Sequence, residues 1–272
     1  RPRVAEEAFL TDPSLSNLMS GVNSADAIRQ IVRANLAHGV DFIKILATER
    51  AGTADTDPRK QVYTESELRA AVEEAALKNV PVQAHAHGDE GAMAAVRAGV
   101  RSIEHGTYLS DATLTLMKEK GTFLVPTYIT VVDVAGPGGD YDESALIRRG
   151  GHMLLRLRST IQRAHKMGVK IVTGADTAYG PNSVSRISGE IAAFVDIGMT
   201  PLEAVQAATT RAAELLRLEK TTGAIAAGLD ADLIAVDGNP LKDPHVLQDV
   251  LLVVSNGRIA LDRLSVRKDG TN

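Results

Sequence analysis

The chain has 272 residues, 44% of them hydrophobic and 24% charged, with 30 basic and 34 acidic side chains. Such a supply of core-forming residues excludes a disordered protein, and no charge-free run is long enough for a membrane-spanning helix. A net charge of −4 excludes a general nucleic-acid binder, four Phe and five Tyr are too few for a base-stacking platform, and zero cysteines exclude disulfides and thiolate chemistry.

Residues 1–23 are polar and rich in Ser and Asn, which predicts a loop. Ser24 then serves as the N-cap of a helix to His38, with Ile28, Ile31, Val32 and Leu36 at helical spacing and Gly39 as its stop. Residues 40–46 are an apolar run with β-branched members, the pattern of a buried strand. Residues 47–62, rich in Thr, Asp, Arg and Gly, predict a long loop. Thr64 and Glu67 form a capping box ahead of a helix to about Asn79.

The alternation continues with a strand at 80–85, a helix at 90–98 ended by Gly99, and a strand at 101–105. A helix at 111–120 ends at Gly121 and is followed by a strand at 122–127. Gly136-Pro137-Gly138-Gly139 marks a loop within residues 131–144 before a long helix at 144–167. The strand at 169–173 then runs into Gly174-Ala175-Asp176. Five short strands alternating with helices predict βαβ units and a parallel sheet. Two helices follow, at 188–197 and at 201–218 with Thr200 as cap. Short strands at 231–236 and 250–254 and an Asn256-Gly257 turn into 258–260 make a small antiparallel module from about residue 221.

In parallel α/β folds ligands bind at the carboxyl ends of the strands, so the polar residues there are the functional candidates. Lys44 lies inside an apolar strand, His85 and His87 end the second, His105 ends the third, and Asp176 follows the fifth. A buried ammonium costs several kcal/mol, roughly, unless paired. Either a salt bridge with Asp176 or Glu104, or conversion of the amine to a carbamate, relieves that cost. Neutral imidazole ligates zinc-like ions, with strand-end carboxylates completing the set. His85 and His87 share a strand face, so one can bind metal while the other contacts substrate. His38 and His165 instead close helices, His152 lies in a charged helix and His245 in a polar loop, and none of these is placed in the site.

Four segments carry a family resemblance: Asp41-Phe42-Ile43-Lys44-Ile45, Val82-Gln83-Ala84-His85-Ala86-His87-Gly88, Ile103-Glu104-His105-Gly106-Thr107 and Thr173-Gly174-Ala175-Asp176-Thr177. The intervals Lys44 to His85, His85 to His105 and His105 to Asp176 run 41, 20 and 71 residues. Together with a tail of the form Gly223-Ala224-Ile225 … Gly228-Leu229-Asp230-Ala231-Asp232, they resemble the amidohydrolase superfamily. The branch is the imidazolonepropionase-related one that includes Xaa-Pro and Xaa-Arg dipeptidases and ochratoxinase-like amidases. The resemblance implies a (β/α)8 TIM-like barrel over residues 1–220, represented by its strands four to eight, with part of a small β-sandwich at 221–272. It implies a divalent metal, zinc foremost, in one or two ions held by Lys44, His85, His105 and Asp176, with Lys44 carboxylated. His87 and Tyr128 are then expected to position substrate.

The reaction implied is hydrolysis of an amide bond in a small molecule, an N-acyl amino acid or dipeptide, by a metal-activated hydroxide, with Asp176 moving the proton. A homo-oligomer is expected, with no nucleic-acid or membrane partner. Two other readings stand beside it: a cyclic amidase or deaminase on the same scaffold, and a non-catalytic scaffold chain. One departure matters. The family places a His-x-His pair on barrel strand one, whereas His85-Ala86-His87 matches strand five. With Arg1 in first position, the chain is expected to be the C-terminal portion of a longer polypeptide, its first strands supplied in cis or by a partner chain. The compartment stays open.

Overall fold

A computed structural model describes residues 24–138, 142–176 and 186–264. The predicted loop at 1–23 lies outside these residues. Helix α1 (Ala25–Ala37) starts at Ser24, whose hydroxyl accepts the Ala27 N–H. Strand β1 (Ile43–Leu46) leads through a long loop to α2 (Glu65–Ala76), opened by a complete Thr64/Glu67 capping box. Strand β2 (Val82–Ala86), α3 (Asp89–Ala98), β3 (Ser102–His105), α4 (Asp111–Lys120) and β4 (Phe123–Val125) continue the alternation. Gly99 and Gly121 end α3 and α4 in left-handed conformation, where a side chain would be strained.

The four strands form one parallel sheet in the order β1-β2-β3-β4. Its register places Leu46, His85, Glu104 and Val125 side by side in one row across the sheet. Side chains alternate between faces along each strand. Ile43, Ile45, Val82, Ala84, Ile103 and Leu124 therefore occupy the opposite face, in one core with Leu68, Ala71, Ala75 and Ala95 of the covering helices. Alanines at these contacts let the helices lie close to the sheet. Burying each larger aliphatic side chain contributes roughly 1.5–3 kcal/mol.

The predicted fifth strand is reduced to a parallel bridge between Leu124 and Ile171. Leu124 donates to the Lys170 carbonyl and Val172 donates back to the Leu124 carbonyl, both at 2.9 Å. The next N–H, of Thr173, turns away to the Ala207 carbonyl, which ends the pairing. The parallel α/β expectation holds, but the sheet is open among the described residues and no closed barrel is observed there.

Two further expectations need correction. Tyr128 does not extend a strand or begin a loop: it is the first residue of α5 (Tyr128–Ala135), so residues 131–135 of the loop expected at 131–144 are helix. Thr127 in left-handed conformation (φ 48°) turns the chain at the end of the predicted strand, and the helix begins directly after it. The helix predicted over 201–218 is broken at Thr209 (φ −125°, ψ −95°) into α8 (Pro201–Ala208) and α9 (Thr210–Leu216). The long α6 (Ser144–Met167) and α7 (Ile187–Ile197) stand close to where they were predicted.

A separate antiparallel sheet joins β5 (Leu233–Val236), β6 (Val250–Ser255) and β7 (Arg258–Asp262). Asn256 and Gly257, both at positive φ, form its tight turn as the Asn-Gly pair predicts. Among the described residues no helix is long and apolar enough to cross a membrane.

Candidate metal centre

Three imidazoles meet at the carboxyl end of the parallel sheet. His85 lies in β2, His87 just beyond it and His105 at the end of β3, and all three are buried. Their ring centroids are 4.5–4.9 Å apart. One potential ligand atom from each lies within 4.8 Å of the others. Two nitrogens on one zinc ion stand at most about 4 Å apart, given bonds of about 2.0–2.1 Å. Small side-chain adjustments therefore bring the three onto one ion.

Alternation alone would send His105 to the helix-covered face beside Ile103. Its backbone is left-handed instead (φ 74°), followed by Gly106 at φ 65°, and this reversal swings the ring against His85 and His87. Thr127 and Asp176, at the ends of their own segments, are left-handed too (φ 48° and 40°). Non-glycine residues in this region cost of order 1–3 kcal/mol each, and such strain concentrates at functional sites.

The rings are oriented by hydroxyls. His87 Nδ1 is 2.8 Å from Thr107 Oγ1 and His105 Nδ1 is 2.6 Å from Thr127 Oγ1, which leaves the Nε2 atoms for a ligand. His85 Nε2 faces the Glu49 carbonyl at 3.2 Å, leaving Nδ1. The Thr48 hydroxyl accepts the His87 backbone N–H at 3.0 Å. Burial, reinforced by mutual repulsion and nearby cations, lowers the pKa of all three: His85 to about 4, His87 and His105 well below their ordinary value. Buried neutral imidazoles with fixed orientations are the donor set a zinc-like ion takes.

Asp176 stands at the rim, its Oδ2 3.8 Å from His105 Nε2 and its side chain 58% exposed. Lys44 corrects an expectation. Its side chain is 43% exposed, because edge strand β1 pairs only with β2 among the described residues, and Nζ lies 3.8 Å from Glu104 Oε2. Of the two carboxylates expected as its partner, Glu104 is the one beside it. The Tyr128 side chain is buried within the apolar core cluster. The geometry thus brings His85, His87 and His105 together, with Asp176 adjacent and Lys44 one strand away.

Sequence reasoning did not find Thr48, Thr107, Thr127 or Arg149. Arg149 of α6 donates to four carbonyls of the β1–α2 loop, those of Ala51, Thr53, Ala54 and Thr56, at 2.6–3.0 Å. It thereby pins the loop whose Glu49 carbonyl faces His85. Hydroxyl–imidazole and guanidinium–carbonyl contacts across such separations leave no periodic signal in a sequence.

Gly88, directly after His87, also serves that loop. A Cβ there would sit 2.3 Å from the Arg59 carbonyl oxygen and 2.7 Å from Arg59 Cα, both backbone atoms that can yield only if the loop moves. Gly88→Ala is therefore expected to destabilise the protein by about 1–3 kcal/mol in urea unfolding. It should also raise amide exchange in the loop; unchanged stability and exchange would show that the loop is not packed on this glycine.

Parallel strands with a buried histidine cluster and a carboxylate at their carboxyl ends place the site where α/β enzymes hold their ligands. The particular family is given by comparison: residues 7–260 match the amidohydrolase family model, and the chain belongs to that family. It is 34% identical over 232 residues to the ochratoxinase of Aspergillus niger, covering 84% of this chain and 47% of that protein. An imidazolonepropionase of Symbiobacterium thermophilum is 27% identical over 234 residues, covering 79% of this chain and 48% of its own. A solved Xaa-Pro dipeptidase with bound methionine superposes with a TM-score of 0.80 at 34% identity, over 88% of this chain and 59% of that one. The chain spans about half the length of the curated relatives it matches.

Proposed function

We propose that the protein hydrolyses an amide bond in a small molecule, an N-acyl amino acid or a dipeptide, with a divalent cation, zinc foremost, at this centre. The observation that carries the reading is the buried, neutral cluster of His85, His87 and His105 at the strand ends. Membership of the amidohydrolase family and the likeness to a Xaa-Pro dipeptidase support it, and both favour a TIM-like α/β fold. In this reading His85 and His105 hold the ion, His87 completes the nitrogen set or meets the substrate, and Thr107 and Thr127 keep the rings oriented. A cation bound there supplies Lewis acidity, which acidifies water and polarises a carbonyl.

The chain's own residues supply the rest. Asp176, open to solvent beside His105, accepts the proton released by the attacking water and returns it to the leaving amine. Lys44 pairs with Glu104 as an ammonium. A carbamate at that position would set two anions side by side, so carboxylation of Lys44 depends on bound cations to offset the repulsion. Tyr128 has its ring buried in the core and its backbone N–H bound by Glu190 Oε1 at 2.9 Å, so in this reading it supports the site from behind rather than meeting the substrate.

Asp176→Asn in the full-length protein tests the assignment against a panel of N-acyl amino acids and dipeptides. General acid–base catalysis contributes roughly 10²–10⁴-fold, so kcat should fall by that order with metal content and KM little changed. Turnover equal to the parent's would remove Asp176 from the mechanism.

A further inference from the structure

Glu190 of α7 is fully buried, yet it belongs to none of the roles assigned so far. Its Oε1 accepts the Tyr128 N–H at 2.9 Å and its Oε2 the Ile129 N–H at 2.8 Å, and the Gly174 N–H donates to it as well. Tyr128 and Ile129 are the first two residues of α5, a helix that has no cap from its own N-cap residue, Thr127. Glu190 thus caps α5 from another helix, more than sixty positions along the chain.

What the carboxyl group joins is more telling than that it is buried. On one side it holds the residue after Thr127, whose hydroxyl orients His105 Nδ1 at 2.6 Å. On the other it holds Gly174, two positions before Asp176. Thr130 of the same helix turn adds a second tie, donating its hydroxyl to the Ala175 carbonyl. Thr127 and Asp176 are both in left-handed conformations that relax unless their neighbours are held. Gly174 also has no room to drift, since a Cβ there would meet Val125 and Thr127 side-chain atoms at 2.7 and 2.8 Å.

We propose that Glu190 is a positioning residue: its carboxyl group locks the α5 N-terminus to the 174–176 segment and so sets Asp176 and the Thr127–His105 pair in one frame. The proposal rests on the catalytic reading above for what the frame is used for, but the frame itself is a property of the fold. Glu190 touches neither substrate nor ligand nitrogens.

Glu190→Gln in the full-length protein is the test. Glutamine keeps the shape and one acceptor oxygen but turns an NH2 group towards a backbone N–H. Amide exchange of peptides covering 127–130 and 173–176 should rise at least about 10-fold, with the rest of the sheet unchanged. Misplacement of reacting groups by about 1 Å can cost 10²-fold, so kcat per bound metal should fall about 10- to 100-fold, with KM within about threefold. Thr130→Val, which removes the second tie, should show the same pattern more weakly. Unchanged exchange in both segments, or a kcat loss that merely follows the unfolded fraction, would overturn the proposal. If the parent protein has no metal-dependent amidase turnover, the catalytic reading falls, and the exchange measurement alone still decides whether Glu190 holds the frame.

Discussion

Replacing His105 by Ala is expected to lower the affinity of the chain for Zn²⁺ by at least about 100-fold. Loss of a partner that only orients a metal-binding histidine typically costs 10–100-fold, and removing a ligand costs more. His105 is also the residue whose left-handed backbone brings the cluster together. Alanine at φ 74° would be strained, so the strand end should relax towards an extended conformation and the remaining pair should lose its pocket. Thr127→Val removes only the hydroxyl on Nδ1 and should fall in the 10–100-fold range. His245→Ala, an exposed histidine on the 3-10 turn before β6, should leave zinc affinity unchanged. Competition titration with a chromophoric chelator reads all three. Equal affinities for the parent and His105→Ala would mean that the ion is held elsewhere.

Stability should depend on pH in a way that Glu190→Gln removes. Burial, only partly offset by the three backbone N–H groups, raises the Glu190 carboxyl from its ordinary 4.5 to about 8. Between these values the folded protein holds a proton that the unfolded chain has released. The bound-proton difference therefore favours folding less as pH rises: stability is lost through the window from about 4.5 to 8 and levels off above it. One pKa unit corresponds to 1.36 kcal/mol, so the loss across the whole window is at most about 5 kcal/mol. Glutamine carries no charge at any of these pH values. The stability difference between Glu190→Gln and the parent, measured by urea unfolding at pH 5, 6.5 and 8, should move steadily in favour of the variant. Any weakened hydrogen bond enters as an offset of about 1 kcal/mol at every pH. A difference independent of pH would show that Glu190 does not titrate in this window.

Local chemistry made much of the fold legible. Ser24, Thr64 and Thr200 cap the helices they were expected to cap, Gly99 and Gly121 end theirs, and Asn256-Gly257 makes its turn. These are interactions within three or four residues, so the residue types themselves carry the information. The alternation of short apolar runs with amphipathic segments likewise announces parallel α/β structure, and the strand-end histidines announce where its chemistry lies. What the tertiary structure alone decided lies beyond that range. Packing put the nitrogens of all three histidines in one buried cluster, where the family resemblance gave His85 and His105 to the metal and His87 to the substrate. A backbone reversal at His105 overrode strand alternation, and no residue type there signals it. Lys44 looks buried in a strand of that composition, yet at an edge it is half exposed beside Glu104. The sequence reads as a loop from residue 131, yet the chain after Thr127 is a helix whose first N–H groups are capped by Glu190, more than sixty positions away. Periodicity reports which face of an element is apolar. It is silent about which distant polar group will satisfy a given N–H, because that choice is made by packing rather than by neighbours along the chain.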